Sequence, residues 1–289
     1  FHIGERGADG TWRTIVDRAE VTRLGAGLQE SGELGAAPME RTVAAIAGMA
    51  AEVARNRVGA IAAVGTAGMR IARNSDTLVA SVRERCGVAI EVITGEEESR
   101  LAYLAATSGL GLARGSLVVF DTGGGSSQFT FGHGEQVEER FSVDVGAVRY
   151  TETYDLAETV PQKRLGRALD AMAVALERLD GRPTPDTLVA MGGSVTNLTA
   201  VAHGLDTYDP EVVQGAVLDL AEVDRQITLY ASRTADERRA IVGLQPDRAE
   251  VILAGACIVK TVMTKLGKES FTVSDRGLRH GMLIERFGL

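Results

Sequence analysis

The chain has 289 residues, a hydrophobic content of 45% and a formal net charge of −8. This length exceeds most single hydrophobic cores, so it predicts two globular domains with ample apolar material to bury. The acidic residues are spread along the chain, and no broad basic face is available to hold duplex nucleic acid. We therefore expect no nucleic-acid partner.

The sequence also argues against a membrane anchor and a transition-metal centre. No apolar run reaches the roughly 18 residues that a membrane helix requires, and nothing resembles a cleaved signal, so we expect a cytoplasmic protein with no membrane partner. The two cysteines, Cys86 and Cys257, lie far apart, and the four histidines are scattered without helical i, i+4 spacing. This spacing predicts neither a disulfide framework nor a zinc site.

In chain order, the first half alternates short strands with helices. Strands are predicted over 1–6 and 12–17, across a Gly-Ala-Asp-Gly turn. Apolar residues at helical spacing predict a helix over 38–53. The remaining elements of this half are a strand at 60–64, a helical region at 65–72, a helix at 76–86, a strand at 90–93 and a helix at 96–107.

The second half repeats the order of hairpin, helix and strand. Its predicted elements are strands at 117–120, 128–132 and 137–143, a helix at 160–179, a strand at 187–191, helices at 195–202, 220–232, 237–244 and 249–266, a strand at 271–275 and a terminal helix that follows 276–283. Aromatic residues make up only 4% of the chain, and 34 residues are glycine. This balance favours an α/β fold over an aromatic-cored β-sandwich.

Residues 117–128 are the most informative stretch, because an apolar strand runs into an acid, three glycines and two serines. Ligands collect at the carboxyl ends of strands in open α/β sheets, which places Asp121 at a binding edge. Glycines lack a Cβ, so we expect residues 123–125 to adopt positive φ and to present N–H groups to an anion, with serine hydroxyls beside them. The alternative is a glycine-rich hairpin that only turns the chain, and the motif alone does not decide between the two.

A second glycine loop follows the apolar strand at 187–191. Gly192, Gly193 and Ser194 come directly before a predicted helix. The first N–H groups of a helix favour anions, so this segment predicts a second anion-facing loop.

Four motifs in a fixed order give the chain a family resemblance. They are Gly-Glu-Glu-Glu-Ser-Arg at 95–100, Asp-Thr-Gly-Gly-Gly-Ser-Ser-Gln at 121–128, Gly-Gly-Ser-Val-Thr-Asn-Leu at 192–198 and Val-Ser-Asp-Arg-Gly-Leu-Arg-His-Gly at 273–281. Together with segments 142–149 and 248–255, this set resembles the exopolyphosphatase and guanosine pentaphosphate phosphohydrolase (Ppx/GppA) family over nearly the whole chain.

The resemblance implies a fold and a division into domains. The expected fold is the two-domain, actin-like (ribonuclease H-like) ATPase fold of the short family type, with a cleft between the domains. The implied domains are 1–107 and 108–277, and a terminal helix within 278–289 is expected to pack back on the first domain. The resemblance also implies a homodimer.

The resemblance assigns roles to particular residues. Glu98 falls on the family's catalytic glutamate, which activates the attacking water. Asp121 would act with it and hold Mg²⁺ (or Mn²⁺), with Glu98 as a further metal ligand. The implied substrate-binding residues are Arg70, Gly123, Gly124, Gly125, Ser126, Gly192, Gly193 and Ser194. From the residues alone, Glu98 is also explained as a solvated first-turn acid and Arg70 as half of a surface ion pair.

Two features depart from the family pattern. Family members begin with a strand and an Asp-Ile-Gly-Ser/Thr-Asn-Ser phosphate loop, and this chain starts just after the point where that loop would end. Either this segment precedes Phe1 in the full protein, or it is deleted, in which case we expect a poor enzyme. Gln128 stands where the family usually has glutamate. Glutamine keeps the shape but loses a negative charge, so any metal or water interaction of that carboxylate is weakened.

Three functional hypotheses follow. The leading one is a Mg²⁺-dependent exopolyphosphatase that removes terminal phosphate from inorganic polyphosphate and converts guanosine pentaphosphate to tetraphosphate as a second activity. Gln128 motivates the second hypothesis, a catalytically weak protein that binds polyphosphate or an alarmone. The third is an actin-like ATPase or sugar kinase, which shares the fold but needs a nucleoside pocket.

Overall fold

The computed structural model of the chain describes residues 1–7, 12–110, 112, 115–134 and 136–288. The chain divides into two compact units, of which unit 1 is Phe1–Leu101 with Leu278–Leu289 and unit 2 is Ala102–Gly277. The domain boundaries predicted from the sequence lie at 107 and 277. No helix in the described ranges is long and apolar enough to cross a membrane.

The first part of the chain contains two small sheets and five helices among its described residues. In chain order the elements are β1 (His2–Arg6), β2 (Trp12–Asp17), α1 (Leu28–Ser31), α2 (Ala36–Arg55), β3 (Ala63–Gly65), α3 (Ala67–Ile71), α4 (Ser75–Cys86), β4 (Ile90–Val92) and α5 (Gly95–Leu110). Strands β1 and β2 pair antiparallel, and β3 and β4 pair parallel in a separate sheet. Every element predicted from the sequence in this part is present, with ends shifted by a few residues.

Helices α2 and α4 pack together and form most of the core of unit 1. Val43 on α2 and Leu78 and Val82 on α4 are each at most 1% exposed. Helix α4 ends where Gly87 adopts a left-handed φ of 67° and its N–H donates to the Arg83 carbonyl. Glycine is preferred at this position because other residues meet a steric penalty there.

Unit 2 is built on one six-stranded sheet. Its elements continue as β5 (Ser116–Thr122), β6 (Ser127–His133), β7 (Gln136–Val143), α6 (Ala147–Tyr154), α7 (Gln162–Ala175), β8 (Thr187–Met191), α8 (Gly193–His203), α9 (Pro210–Val213), β9 (Val217–Asp219), α10 (Leu220–Ala231), α11 (Ala235–Arg238), α12 (Ile252–Lys265) and β10 (Ser270–Val273). The strand order is β7-β6-β5-β8-β10-β9. Strands β5, β8 and β10 run parallel, whereas β6, β7 and β9 are antiparallel to their neighbours.

Both faces of this sheet are covered, so β5 and β8 read as continuous apolar runs. Val118 and Phe120 face a core that includes α12, whereas Leu117 and Val119 face a second cluster with Tyr103 of α5. Helix α12 is buried along almost its full length and packs against α10, α6, α8 and α7. The predicted α/β class is therefore confirmed, with helices on both faces of a mixed sheet.

The sequence-based assignment is wrong at several places in unit 2. It predicts a single helix over 160–179 and does not predict α6 or α9. In the structure, Val160 is not helical: its N–H donates to the Ala231 carbonyl at 2.9 Å. Helix α7 starts only after Pro161. The edge strand β9 was also not predicted, and the helix predicted at 237–244 is instead the four-residue α11.

The last helix, α13 (Leu278–Phe287), belongs to unit 1. Met282 packs with Ile93 and Leu101 in a small buried cluster. A Cβ on Gly281 would lie 2.0 Å from the Leu101 carbonyl oxygen, so only glycine permits this approach of α13 to the first turns of α5.

Candidate active site

Two glycine loops of unit 2 leave the same edge of the sheet. Strands β5 and β8 are parallel neighbours, and Asp121 pairs in register with Met191. The loop at 123–126 follows β5 and the loop at 192–194 follows β8, so the pairing brings them side by side. This is the edge at which open α/β sheets bind ligands.

Gly192 is required by both its conformation and its surroundings. Its φ of 94° and ψ of 166° are accessible almost only to glycine. A Cβ at this position would lie 2.5 Å from Asp121 Oδ1 and 2.9 Å from the Thr122 carbonyl oxygen. The second glycine loop therefore lies directly against the Asp121 carboxylate, as an anion and metal site at this edge would need.

The glycine triplet of the first loop is oriented by α6. The α6 contacts are Ala147 N–H to the Gly123 carbonyl at 3.0 Å, Val148 and Arg149 N–H to the Gly124 carbonyl at 2.9 and 3.1 Å, and Arg149 Nε to the Gly125 carbonyl at 3.2 Å. All peptide bonds among the described residues are trans. In a trans peptide, the C=O and N–H point in opposite directions. The N–H groups of Gly124, Gly125 and Ser126 therefore point away from α6, as donors for an anion.

The triplet achieves this without the positive φ that the sequence suggested. None of residues 123–125 lies in the left-handed region. Close packing on α6 explains only part of the triplet: a Cβ on Gly124 would lie 3.1 Å from Val148 Cγ2, and on the α6 side a Cβ on Gly146 would lie 2.4 Å from the Gly124 carbonyl oxygen, whereas nothing lies within 4 Å of a Cβ on Gly125. The expected conformation occurs in the other loop, at Gly192.

The serine hydroxyls near the two loops differ in what they can contact. Gln128 Nε2 donates to Ser126 Oγ at 2.9 Å, so the residue that replaces the family's glutamate holds this hydroxyl. Ser127 Oγ is buried and donates to the Val145 carbonyl at 2.6 Å. Ser194 is 3% exposed, and its hydroxyl lies against Gly255 of α12. The Ser127 and Ser194 hydroxyls thus face the core, and Ser194 could contribute only its backbone N–H.

Arg248 lies at the second loop, although the sequence analysis gave it no role. Its guanidinium packs so closely on Gly193 that a Cβ there would lie 2.7 Å from Nη2. Asn197 fixes the geometry, because its side chain donates to the Gly193 carbonyl and accepts from the Gln245 N–H, both at 2.8 Å. An exposed cation is thereby held over the N-terminus of α8. This position of Arg248 depends on a contact between segments that are distant in the sequence, so no local sequence pattern predicts it.

In unit 1, Glu98 and Arg70 form a separate pair. Arg70 Nη1 donates to Glu98 Oε2 at 2.8 Å and to the Ile93 carbonyl at 3.0 Å. The two side chains are 28% and 25% exposed, so the pair is half-buried. Gly95 lies beside the guanidinium, where an added Cβ would make an ordinary van der Waals contact with Arg70 Nη2 at 3.5 Å. The carboxylate of Glu98 is thus held in one orientation at the start of α5.

The pairing distinguishes Glu98 from the acids beside it. Glu97 pairs with Arg100 across one turn of α5, and Arg100 also reaches Glu285 of α13. Thr94 caps the helix by accepting the Glu97 N–H at 3.1 Å. Glu96 is exposed on the first turn. Three consecutive acids therefore have three different surroundings, which their shared sequence pattern did not reveal.

The predicted site residues fall into two groups. Asp121, the triplet with Ser126, and Gly192 to Ser194 come together in unit 2, and Arg70 and Glu98 come together in unit 1. Within the described ranges, neither Asp121 nor Glu98 belongs to a cluster of three potential metal ligands.

Comparisons with known proteins match the chain over nearly its whole length. A family model described as "Ppx/GppA phosphatase family" matches residues 5–288. Exopolyphosphatase 2 of Mycobacterium tuberculosis is 29% identical over 306 aligned residues, covering 99% of this chain and 93% of the relative. The guanosine-5'-triphosphate,3'-diphosphate pyrophosphatase of Photobacterium profundum is also 29% identical, covering 99% of this chain and 56% of its own length.

A solved structure shows the same fold. The crystal structure of the Aquifex aeolicus Ppx/GppA family member superposes with a TM-score of 0.88 at 31% identity, covering 99% of this chain and 92% of that one. The similarity extends over both units and is not limited to the glycine loops.

Proposed function

The chain belongs to the Ppx/GppA phosphatase family and is a hydrolase of phosphoanhydride bonds, and on this premise we propose that it is an exopolyphosphatase. It removes the terminal phosphate of inorganic polyphosphate. The observation that carries the proposal is the edge of the unit 2 sheet, where oriented N–H groups of one glycine loop lie beside a second glycine loop and a carboxylate.

The chemistry of that edge suits a phosphate chain. The N–H groups of residues 124–126 and the N-terminus of α8 are neutral donors that bind phosphate oxygens without a large positive field. Arg248 adds one cation at the second loop. A chain with a net charge of −8 needs such local donors, because its overall field opposes the approach of a polyanion.

Glu98 is the proposed general base. Arg70 donates to one carboxylate oxygen and so fixes the plane of the group, leaving the other oxygen to accept a proton from water. The attacking water forms a new bond to the terminal phosphorus while the bond to the bridging oxygen breaks. The products are orthophosphate and a chain one unit shorter, and the water proton passes to Glu98.

Mg²⁺ (or Mn²⁺) is the proposed cofactor, and Asp121 would hold it. The missing Cβ of Gly192 lets the backbone of the second loop approach Asp121 Oδ1, so this carboxylate lies where both glycine loops begin. When bound, the cation neutralises charge on the transferring phosphoryl group. Asp121 would provide an oxygen ligand where the two loops begin. The loop N–H groups would donate to the equatorial oxygens of the transferring phosphoryl group and stabilise their charge.

The test is phosphate release from long-chain polyphosphate by the full-length protein, with and without Mg²⁺. We expect release only with the cation, and a loss of at least about 100-fold in kcat for Glu98→Gln, the lower range for a positioned base. Glu96→Gln is the matched control, since it removes a neighbouring acid from the same helix turn. Equal activity of both variants would show that Glu98 is not the base.

Guanosine pentaphosphate is a second proposed substrate. A relative that aligns with 99% of this chain is named a guanosine-5'-triphosphate,3'-diphosphate pyrophosphatase. The γ-phosphate of this nucleotide is the same terminal phosphoanhydride, so one site would serve both substrates. If polyphosphate and guanosine pentaphosphate bind the same site, each should inhibit the hydrolysis of the other, and inhibition kinetics measure this. Tight binding of either with no product would instead favour the binding-protein hypothesis, and phosphorylation of a sugar by ATP would favour a kinase.

A further inference from the structure

Two histidines that are distant in the sequence meet in unit 1. His2 lies on β1, His280 lies on α13, and their rings contact edge to face with centroids 5.3 Å apart. Asp17 on β2 is the cross-strand partner of His2. One ligand atom from each of these three side chains lies within 4.8 Å of the others. The expectation from sequence spacing that no such constellation exists is therefore wrong.

The side chain of His2 is buried and carries an unsatisfied ring nitrogen. Its side chain is only 6% exposed, and its Nδ1 lies 3.6 Å from Asp17 Oδ2, which is beyond hydrogen-bond distance. That buried Nδ1 has no hydrogen-bond partner. Leaving a buried polar atom unsatisfied is unfavourable, so a group that binds this nitrogen would recover the lost free energy. The nitrogen lies in the same cluster as the carboxylate.

Arg279 orders the carboxylate of the cluster. Arg279 Nη2 donates to Asp17 Oδ2 at 2.8 Å. Metal-ligating carboxylates are themselves commonly hydrogen-bonded by outer residues that fix their orientation. The guanidinium thereby holds Oδ2, the carboxylate oxygen that lies 3.6 Å from His2 Nδ1. Asp17 retains 29% side-chain exposure, so a small ion can reach the cluster from solvent.

We propose that His2, Asp17 and His280 form a binding site for a divalent transition-metal ion, with Zn²⁺ as the preferred ion. Two imidazoles and one carboxylate are borderline and hard donors that suit Zn²⁺, with water in the fourth position. Mg²⁺ prefers oxygen ligands and octahedral geometry, so it does not compete for this set. The site lies wholly in unit 1 and is chemically distinct from the Mg²⁺ proposed at Asp121.

The experiment measures Zn²⁺ binding by calorimetry and metal content after dialysis, using the full chain. We expect one Zn²⁺ per chain. His2→Ala and His280→Ala should weaken binding by more than the roughly 10- to 100-fold that loss of an outer-shell partner costs. His133→Ala and His203→Ala are the matched controls, because they remove the two other histidines of the chain, both exposed and in unit 2.

The only tryptophan provides an optical readout that does not depend on activity. Trp12 and His2 flank Gly4, whose added Cβ would lie 3.1 Å from the Trp12 ring and 3.5 Å from His2 Nε2. Co²⁺ bound to the cluster should quench Trp12 fluorescence, and Zn²⁺ should reverse the quenching by displacement. Mg²⁺ should do neither.

Two results would overturn the proposal. One is the absence of stoichiometric Zn²⁺ binding by the wild-type chain. The other is equal Zn²⁺ affinity in the His280→Ala and His203→Ala variants. Asp17→Asn, which preserves size, covers the case in which an alanine variant fails to fold. A folded Asp17→Asn protein that retains full affinity would remove the carboxylate from the site. Phosphate release with Mg²⁺ is measured separately, so failure here leaves the proposed function intact.

Discussion

The two units use similar orders of elements but differ in how their sheets are joined. In unit 2, the antiparallel strands β6 and β7 connect to the parallel pair β8 and β10 through β5. In unit 1, the hairpin β1–β2 and the parallel pair β3–β4 follow in the same order, but they are two separate sheets. Within the described ranges, unit 1 has no counterpart of β5.

This difference shows what the central strand contributes. Strand β5 completes one continuous sheet with a core on both faces, and it also carries Asp121 to the binding edge. Two-stranded sheets are at best marginally stable alone, so unit 1 depends on the packing of α2, α4 and α13. A central strand therefore determines both stability and site geometry.

The largest expected effect is a difference in amide exchange between the two sets of strands. Central strands of a large core open only in near-global unfolding, whereas small sheets open locally. We expect amides of β5 and β8 to exchange at least about 100-fold more slowly than those of β3 and β4. Hydrogen exchange followed by mass spectrometry measures this. Equal protection would show that unit 1 is as cooperative as unit 2 despite its divided sheets.

The next effect concerns a buried arginine that holds unit 2 together. Arg238 is fully buried, and its guanidinium donates to the carbonyls of Leu156, Glu158, Tyr230 and Ala249. Burial lowers the pKa of Arg238 to about 10, so it remains charged at neutral pH. Removing it would leave buried carbonyls unpaired and a cavity.

We expect Arg238→Ala to reduce the free energy of unfolding of unit 2 by about 3–5 kcal/mol, the cost typical of a broken buried polar network. Arg239→Ala is the control, because this exposed neighbour only pairs with Asp236 and should cost about 1 kcal/mol or less. Urea denaturation gives both values. A similar small loss in both variants would contradict the view that Arg238 anchors this part of the chain.

A smaller effect is expected at Gly192, the first glycine of the second loop. Gly192 and Gly204 flank α8, and both have positive φ, but nothing lies within 4 Å of a Cβ on Gly204. Gly204→Ala should therefore cost only about 1 kcal/mol of backbone strain. Gly192→Ala should cost about 2–3 kcal/mol, because it adds a clash with Asp121 to the strain.

Gly192→Ala should also reduce phosphate release far more than Gly204→Ala does, because it displaces the Asp121 carboxylate. Comparing both variants in denaturation and in phosphate release separates the two effects. If they lose the same activity, then the contact of Gly192 with Asp121 has no role in the site.

The sequence predicted those parts of the fold that are encoded locally. Strands β5 and β8 and helix α12 are continuous apolar segments, and the glycine loops that follow the strands are visible as residue types. The glycine triplet illustrates the limit of this reasoning. Glycine is compatible with positive φ and with close packing, and only the position of α6 shows that packing is the reason at Gly124.

The features that could not be predicted depend on contacts between distant segments. Helix α6 begins where its N–H groups meet the first loop, and Arg248 reaches Gly193 because Asn197 ties α8 to the turn at Pro246–Arg248. His2 and His280 are separated by almost the whole chain. Helical or strand periodicity carries no information about such pairs, because it relates only neighbours within one element.

The smallest expected effect compares the acid sensitivity of a surface ion pair in unit 2 with that of its neighbour on the same strand. Arg182 and Arg178 donate to Glu139 on β7 and lower the pKa of this carboxyl to about 2. A depressed carboxyl pKa stabilises the fold above the unfolded value of 4.5, and the contribution is lost as pH falls towards 2.

Because Glu139 is more than a third exposed, we expect Glu139→Gln to cost at most about 1 kcal/mol at pH 7. The cost should shrink below pH 4.5 and vanish near pH 2, as measured by urea denaturation across this range. Glu138→Gln, on the adjacent and exposed residue, is the matched control variant, and a constant difference between Glu139→Gln and wild type at all pH values would refute the ion-pair explanation.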